Sequence, residues 1–230
     1  MKKLICFAHR GASGHEPENT LAAVVKAVDL GADWIEVDVY AVAGELIVIH
    51  DERLERTTSG AGYVRDTSLA YLRSLDAGKG QCIPTLREVF DSIDRRARIN
   101  VELKGPMTAG LAVSLIEEYV RERQWNYDQF IVSSFSRRQL RKVRKLNPDI
   151  RIGILIDRPR RHYAIFARRY HAYSVHVHIR IASARFIARA HERGLKVFVY
   201  TVNSSEDIDR LQALGVDGIF TDFPELVVKR

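Results

Sequence analysis

LICFAHRGASGHEPENTLAAVVKAVDLGADWIEVDVY, Leu4 to Tyr40, is the stretch on which the fold turns. It opens with a short apolar strand, Leu4–Ala8. A helical pattern follows at Leu21–Leu30, with Asn19 and Thr20 offering its N-terminal cap and Gly31 marking its end. The chain then returns as Trp34–Val39, in which polar and apolar residues alternate. Strand, helix and strand joined by short links predict two parallel strands with a crossover helix between them.

The same unit recurs to the end of the chain. Further strands are expected at Ile99–Leu103, Phe130–Ser133, Ile152–Leu155, Tyr173–Val177, Val197–Tyr200 and Gly218–Thr221. Helical patterns lie at Leu86–Ile93, Ala109–Arg123, Arg137–Leu146, Arg160–Tyr170, Ala184–Arg193 and Ser205–Leu214, and a last short one after Pro224. Eight such strands point to an α/β fold, the (β/α)₈ TIM barrel, with a doubly wound open sheet as the alternative. The rhythm breaks once. AVAGELIVIHD reads as a hairpin-like return with Gly44 at the turn, and from Glu52 to Ile83 no strand–helix unit is evident. The chain is therefore expected to be one barrel domain, 1–230, with an insertion at about 52–83 after the second strand. Insertions in barrel enzymes sit on the catalytic face, so this one is expected to cover a site.

Composition narrows the function classes. Apolar residues make up 46% of the 230, enough for a full core and contrary to disorder. Lys and Arg number 36 against 29 Asp and Glu, a net charge of +7 that suits an anionic ligand without selecting one. Cys6 and Cys82 lack metal-type spacing, and Cys6 reads as a buried thiol. The opening apolar run is too short for a secretory leader, and no stretch reaches the ~20 apolar residues of a membrane span. A soluble, cytoplasmic protein without stable membrane insertion is expected.

The chemistry gathers at predicted strand ends. In WIEVDVY, Glu36 and Asp38 are two apart and share one face of the strand, and in VELKG Glu102 and Lys104 do the same. Carboxylates on a face that should be apolar are costly unless paired or metal-bound. Each could pair with an Arg or Lys at the barrel rim. Converging, the three would make an oxygen-rich site for one divalent cation, Mg²⁺ or Ca²⁺, rather than Zn²⁺. His9 ends the first strand and His50 ends LIVIHD, positions suited to a general acid and a general base. Arg10 and Lys104 are candidate phosphate clamps, the first through its bidentate fork and the second as a point charge.

HRGASGHEPENT, EVDVY, IHDERLERTTSGAGYV, VELKG, VSSF, YTVN and GVDGIFTDFP, in that order over nearly the whole chain, resemble the glycerophosphodiester phosphodiesterases. The resemblance implies a barrel with a small insertion after the second strand. It also implies a divalent metal at Glu36, Asp38 and Glu102, an acid–base pair at His9 and His50, and phosphate contacts at Arg10 and Lys104. Phe135 falls where that family places an apolar contact to glycerol. Tyr200 stands where the family often has Trp, which keeps an aromatic wall and adds a hydroxyl. The implied reaction converts a small glycerophosphodiester and water to sn-glycerol 3-phosphate and an alcohol.

Two rivals carry their own signals. A lysophospholipase D-like activity would need an acyl groove, for which Tyr63, Leu69, Tyr71 and Leu72 are candidates, although they suit a small core of the insertion better. A nucleic-acid-binding protein would use RRQLRKVRK (Arg137–Lys145) and RPRRHYAIFARRY (Arg158–Tyr170), but no RNA- or DNA-reading motif accompanies them, so no nucleic-acid partner is expected. His176 and His178 share a strand face, lie outside the family's site pattern, and read as a polar strand end.

Overall fold

The structure is a computed structural model that describes residues 3–158 and 163–229. Among the described residues, nine strands form one sheet: β1 (Ile5–Ala8), β2 (Trp34–Val42), β3 (Glu45–Val48), β4 (Arg98–Leu103), β5 (Phe130–Ser134), β6 (Arg151–Ile156), β7 (Ser174–His178), β8 (Lys196–Tyr200) and β9 (Gly218–Thr221). All but β3 pair in parallel. β1 closes the ring by pairing with β9 (Phe7↔Phe220) and with β2 (Ala8↔Ile35), so the sheet is a closed eight-stranded barrel and not an open doubly wound one. The helices are α1 (Leu21–Asp29), α2 (Leu69–Ser74), α3 (Leu86–Ile93), α4 (Thr108–Glu122), α5 (Arg137–Leu146), α6 (Tyr163–Arg169), α7 (Ala184–His191), α8 (Ser205–Ala213) and α9 (Glu225–Val228). The start of the helix expected at Arg160–Tyr170 lies outside the described residues.

Strand alternation sorts the apolar residues into two cores. Val37, Val101, Val132, Val177 and Val199 pack toward the helices, against Val24, Val113, Leu140, Ile187 and Leu211. Inside the barrel, Phe7, Trp34, Ile131, Phe198 and Phe220 form a separate plug, with the Phe7 ring 4.5 Å from Phe220 and 4.6 Å from Phe198. His176 joins this plug, 5.1 Å from Phe220. Gly153 on the neighbouring strand makes room for it, since a Cβ there would lie 2.5 Å from the imidazole Nε2. Cys6 faces the helices, and burial pushes its thiol up to about 12, as befits an inert packing residue.

β2 runs past its expected end at Val39, because β3 extends the ladder antiparallel (Val39↔Val48) after a turn at Ala43–Gly44. Residues 52–83 then leave the barrel. They contain a 3₁₀ turn at Val64–Asp66 and α2, and their Leu54, Val64, Leu72, Leu75 and Ile83 pack with Val42, Ile47 and Ile49 at the β2–β3 hairpin in a small separate core. Leu69 borders that core, and Tyr63 lies under the guanidinium groups of Arg53 and Arg65, at 4.7 and 5.1 Å.

Candidate active site

The loop after β1 turns sharply because Arg10 and Gly11 both adopt the left-handed conformation, with φ of 57° and 79°. Only glycine fits at 11, where a Cβ would lie 2.6 Å from the Ala23 backbone. The turn brings the Arg10 amide onto Glu36, donating to Oε2 at 2.9 Å. Further along the loop, buried Asn19 donates Nδ2–H to Asp38 Oδ2 at 3.0 Å and accepts from the Asp38 amide at 3.2 Å. Thr20, not Asn19, caps α1, accepting from the Ala23 amide. The loop therefore clips itself to two acids of β2.

Those acids meet a third across the sheet. Asp38 on β2 is in register with Glu102 on β4, and oxygens of Glu36, Asp38 and Glu102 lie within 4.8 Å of one another. Glu36 and Asp38 are 2% and 1% exposed. Burial, reinforced by Asp38 and Glu102, drives the Glu36 carboxyl well above its usual range. Burial and then Asp38 push Glu102 up to about 7. Two cations oppose them. Lys104 Nζ donates to Glu102 Oε1 at 2.9 Å and lies 3.5 Å from Asp38 Oδ1, and Arg10 Nε is 3.4 Å from Asp38 Oδ2. Burial opposes the Lys104 charge, but Glu102 and Asp38 outweigh it and raise the ammonium above its ordinary range. Asp38 Oδ1 is buried and accepts no hydrogen bond among the described residues. An all-carboxylate donor set with an unsatisfied buried oxygen fits a hard divalent cation.

The two histidines face the same space, each held from behind by a carboxylate. His9 Nδ1 is 2.7 Å from Asp222 Oδ1. Asp222 also accepts from Ser13 Oγ at 2.9 Å and from Asn203 Nδ2 at 2.5 Å. Burial would raise the Asp222 carboxyl, but the bonds from His9, Asn203 and Ser13 hold it down at about 2. His50 Nδ1 is 2.6 Å from Asp51 Oδ1. Asp51 is bound in turn by Arg56 of the insertion, and that bond, with His50, holds Asp51 at about 2. Arg56 also grips Glu18 at 2.8 and 2.7 Å, and Glu18 accepts from Arg10 at 2.7 Å. A chain of alternating charges thus runs from Asp38 through Arg10, Glu18, Arg56 and Asp51 to His50. Burial lowers the His50 imidazole from its ordinary value.

All nine residues expected from the sequence line one cavity of about 260 Å³. Phe135, half exposed, meets Tyr200 edge-on at 6.4 Å and forms its outer wall. The Tyr200 hydroxyl donates to the Ile156 carbonyl at 3.1 Å, so the group that distinguishes it from tryptophan is committed to the barrel backbone. His178 borders the cavity, edge-on to Tyr200 at 5.5 Å. His176 lies in the lining but is fully buried, bonded through Nε2 to Ser174 Oγ at 2.9 Å, and pushed down to about 3 by burial. It is a neutral packing group inside the barrel, where the sequence reading expected a polar strand end. Among the described residues the insertion supplies no lining residue and reaches the site through Arg56. Sequence reasoning gave no role in the site to Asp222, Glu18 or Arg56, and read Asn19 only as a helix cap. Asp222 carried a readable signal, since in GVDGIFTDFP it directly follows a predicted strand, as His9 does.

The sequence model of the glycerophosphoryl diester phosphodiesterase family matches residues 9–226. A glycerophosphodiester phosphodiesterase of Caldanaerobacter subterraneus subsp. tengcongensis is 39% identical, over 98% of this chain and 97% of its own. One of Bacillus subtilis is 32% identical, over 99% and 86%. An Oleispira antarctica phosphodiesterase, solved in complex with the product sn-glycerol-3-phosphate, superposes with a TM-score of 0.90 at 29% identity, over 97% of this chain and 95% of that one. The Thermotoga maritima glycerophosphodiester phosphodiesterase does so with 0.82 at 28%, over 100% and 99%.

Proposed function

The chain belongs to the glycerophosphoryl diester phosphodiesterase family, and from that premise we propose that its cavity hydrolyses glycerophosphodiesters to sn-glycerol 3-phosphate and an alcohol. The observation that carries the reading is the opening of the buried acid trio and both carboxylate-backed histidines onto one cavity. Glu36, Asp38 and Glu102 would hold a hard divalent cation, Mg²⁺ or Ca²⁺, which when bound would supply positive charge for the phosphoryl group. Lys104 and Arg10 add fixed charge beside it, where it counts most in a site sheltered from water. Each histidine donates Nδ1–H to its carboxylate, which leaves Nε2 to exchange a proton. His50, whose imidazole burial lowers from its ordinary value, takes the proton of the attacking hydroxyl, and Asp51 steadies the imidazolium that forms. His9 gives its Nε2 proton to the departing alkoxide, with Asp222 fixing the ring. Phe135 and Tyr200 wall the cavity against water and contact the glycerol or alcohol portion.

The test is glycerol 3-phosphate release from a panel of glycerophosphodiesters, with chelator and after Mg²⁺ or Ca²⁺ is restored. Release that stops on chelation and returns with metal is expected. Full turnover in a thoroughly demetallated sample would remove the cation from the reading, and failure to cleave any diester in the presence of metal would remove the substrate class.

A further inference from the structure

The helices α5, α6 and α7 carry a charge unlike that of the rest of the chain. Residues 137–193 hold 16 Lys and Arg against three Asp and Glu, leaving 20 against 26 elsewhere, and 14 of the 16 lie among the described residues. Their helices follow the neighbouring strands β5, β6 and β7, so the charge forms one continuous flank of the barrel. Arg141 and Lys145 on α5, Arg168 and Arg169 on α6, and Arg185 and Arg189 on α7 are exposed, the first and last pairs at the four-residue spacing of one helix face.

Elsewhere most of the described arginines find carboxylates, as Arg73 does with Glu88 and Arg87 with Glu118. On this flank, among the described residues, the one Arg or Lys pair with a carboxylate is Arg158 with Asp157 at 3.5 Å. Arg144 and Arg151 turn instead to backbone carbonyls. Uncompensated like charge repels itself, and an anionic partner relieves that repulsion.

We propose that this flank docks the enzyme on an anionic phospholipid surface. Single-stranded nucleic acid is the other polyanion to weigh, and it needs free aromatic faces for base stacking. The rings here are occupied: Tyr163 stacks on Phe186 at 5.2 Å, Phe166 packs on Tyr170 at 4.5 Å, and Tyr170 has Arg141 and Arg169 over it, each at 5.6 Å. A bilayer asks only for diffuse positive charge and apolar side chains at headgroup depth. Ile165 on α6, 66% exposed beside Arg168 and Arg169, meets the second requirement. β6 and β7 also lead into the cavity through Leu155, His176 and His178, so a docked flank sets the mouth beside the lipid headgroups.

The test is co-sedimentation of the full chain with phosphatidylcholine vesicles, with and without a one-third share of phosphatidylglycerol, near physiological ionic strength. Binding is expected only to the anionic vesicles, and it should disappear at about 1 M salt, where screening reaches within ~3 Å. The quadruple variant Arg168→Glu, Arg169→Glu, Arg185→Glu and Arg189→Glu should bind at least ~100-fold more weakly, since each basic residue near such a surface contributes a factor of roughly five. Its turnover of a soluble diester should stay at the wild-type level, which checks the fold, and the matching Gln variant serves if charge reversal prevents folding. Equal binding to neutral vesicles, absence of vesicle binding, or tighter binding to a mixed-sequence oligonucleotide than to the anionic vesicles would each overturn the proposal.

Discussion

Asp222 and Asp51 differ in what else they hold, and that difference separates the two histidines. Asp222 is shared with neutral donors, Ser13 and Asn203, whereas Asp51 is bound by the cation Arg56. His9→Ala and His50→Ala should each lower turnover by at least ~100-fold, as loss of a proton-transfer group does. A nitrophenyl diester needs no acid to expel its leaving group, so it should rescue His9→Ala and not His50→Ala. Rescue of the opposite variant would reverse the assignment. Asp222→Asn should cost less than His9→Ala, because the imidazole remains while its tautomer and orientation are no longer enforced. That loss should appear in kcat, with KM near its wild-type value. A loss confined to KM would mean that Asp222 serves binding and not the placement of His9.

At the scale of elements, the insertion has two separable roles. The small core it shares with the β2–β3 hairpin, with Leu72 fully buried beside Leu54 and Leu75, holds the segment together. Leu72→Ala should cost about 2–5 kcal/mol in denaturant unfolding, as buried leucine truncations do. Arg56 is about half exposed, and its pairs with Glu18 and Asp51 face solvent. Arg56→Ala should therefore change stability by no more than ~1 kcal/mol. It should still slow turnover, because Asp51 and Glu18 lose the cation that ties them together behind His50 and Arg10. Unchanged turnover in that variant would show that the insertion does not reach the chemistry.

At the scale of the whole molecule, the acid trio links stability to metal and pH. With its folded value raised to about 7 from an ordinary 4.5, Glu102 makes the metal-free native state bind more protons than the unfolded one between those values. Its contribution is therefore fully present below pH 4.5 and is lost as pH rises toward 7. A cation must displace those protons, so the rise in Tm on adding Mg²⁺ or Ca²⁺ should grow between pH 5 and pH 8. Thermal melts with metal and with chelator check this, and a gain independent of pH would place the cation elsewhere. The barrel itself was legible in the chain, because strand and helix periodicities and the glycines that end helices are local properties. So were Glu36, Asp38 and Glu102, since strand alternation forces a side chain two residues on to the same face. Which side of the chain would hold His9 was not legible. Asp222 lies 213 residues away and meets it because β9 closes the ring against β1. Nor could periodicity show that Asn19 grips Asp38 instead of capping a helix, or that Arg56 bridges two loops. Those contacts depend on barrel closure, which brings distant strand ends to one mouth, where burial removes water and sets each carboxylate by its neighbours.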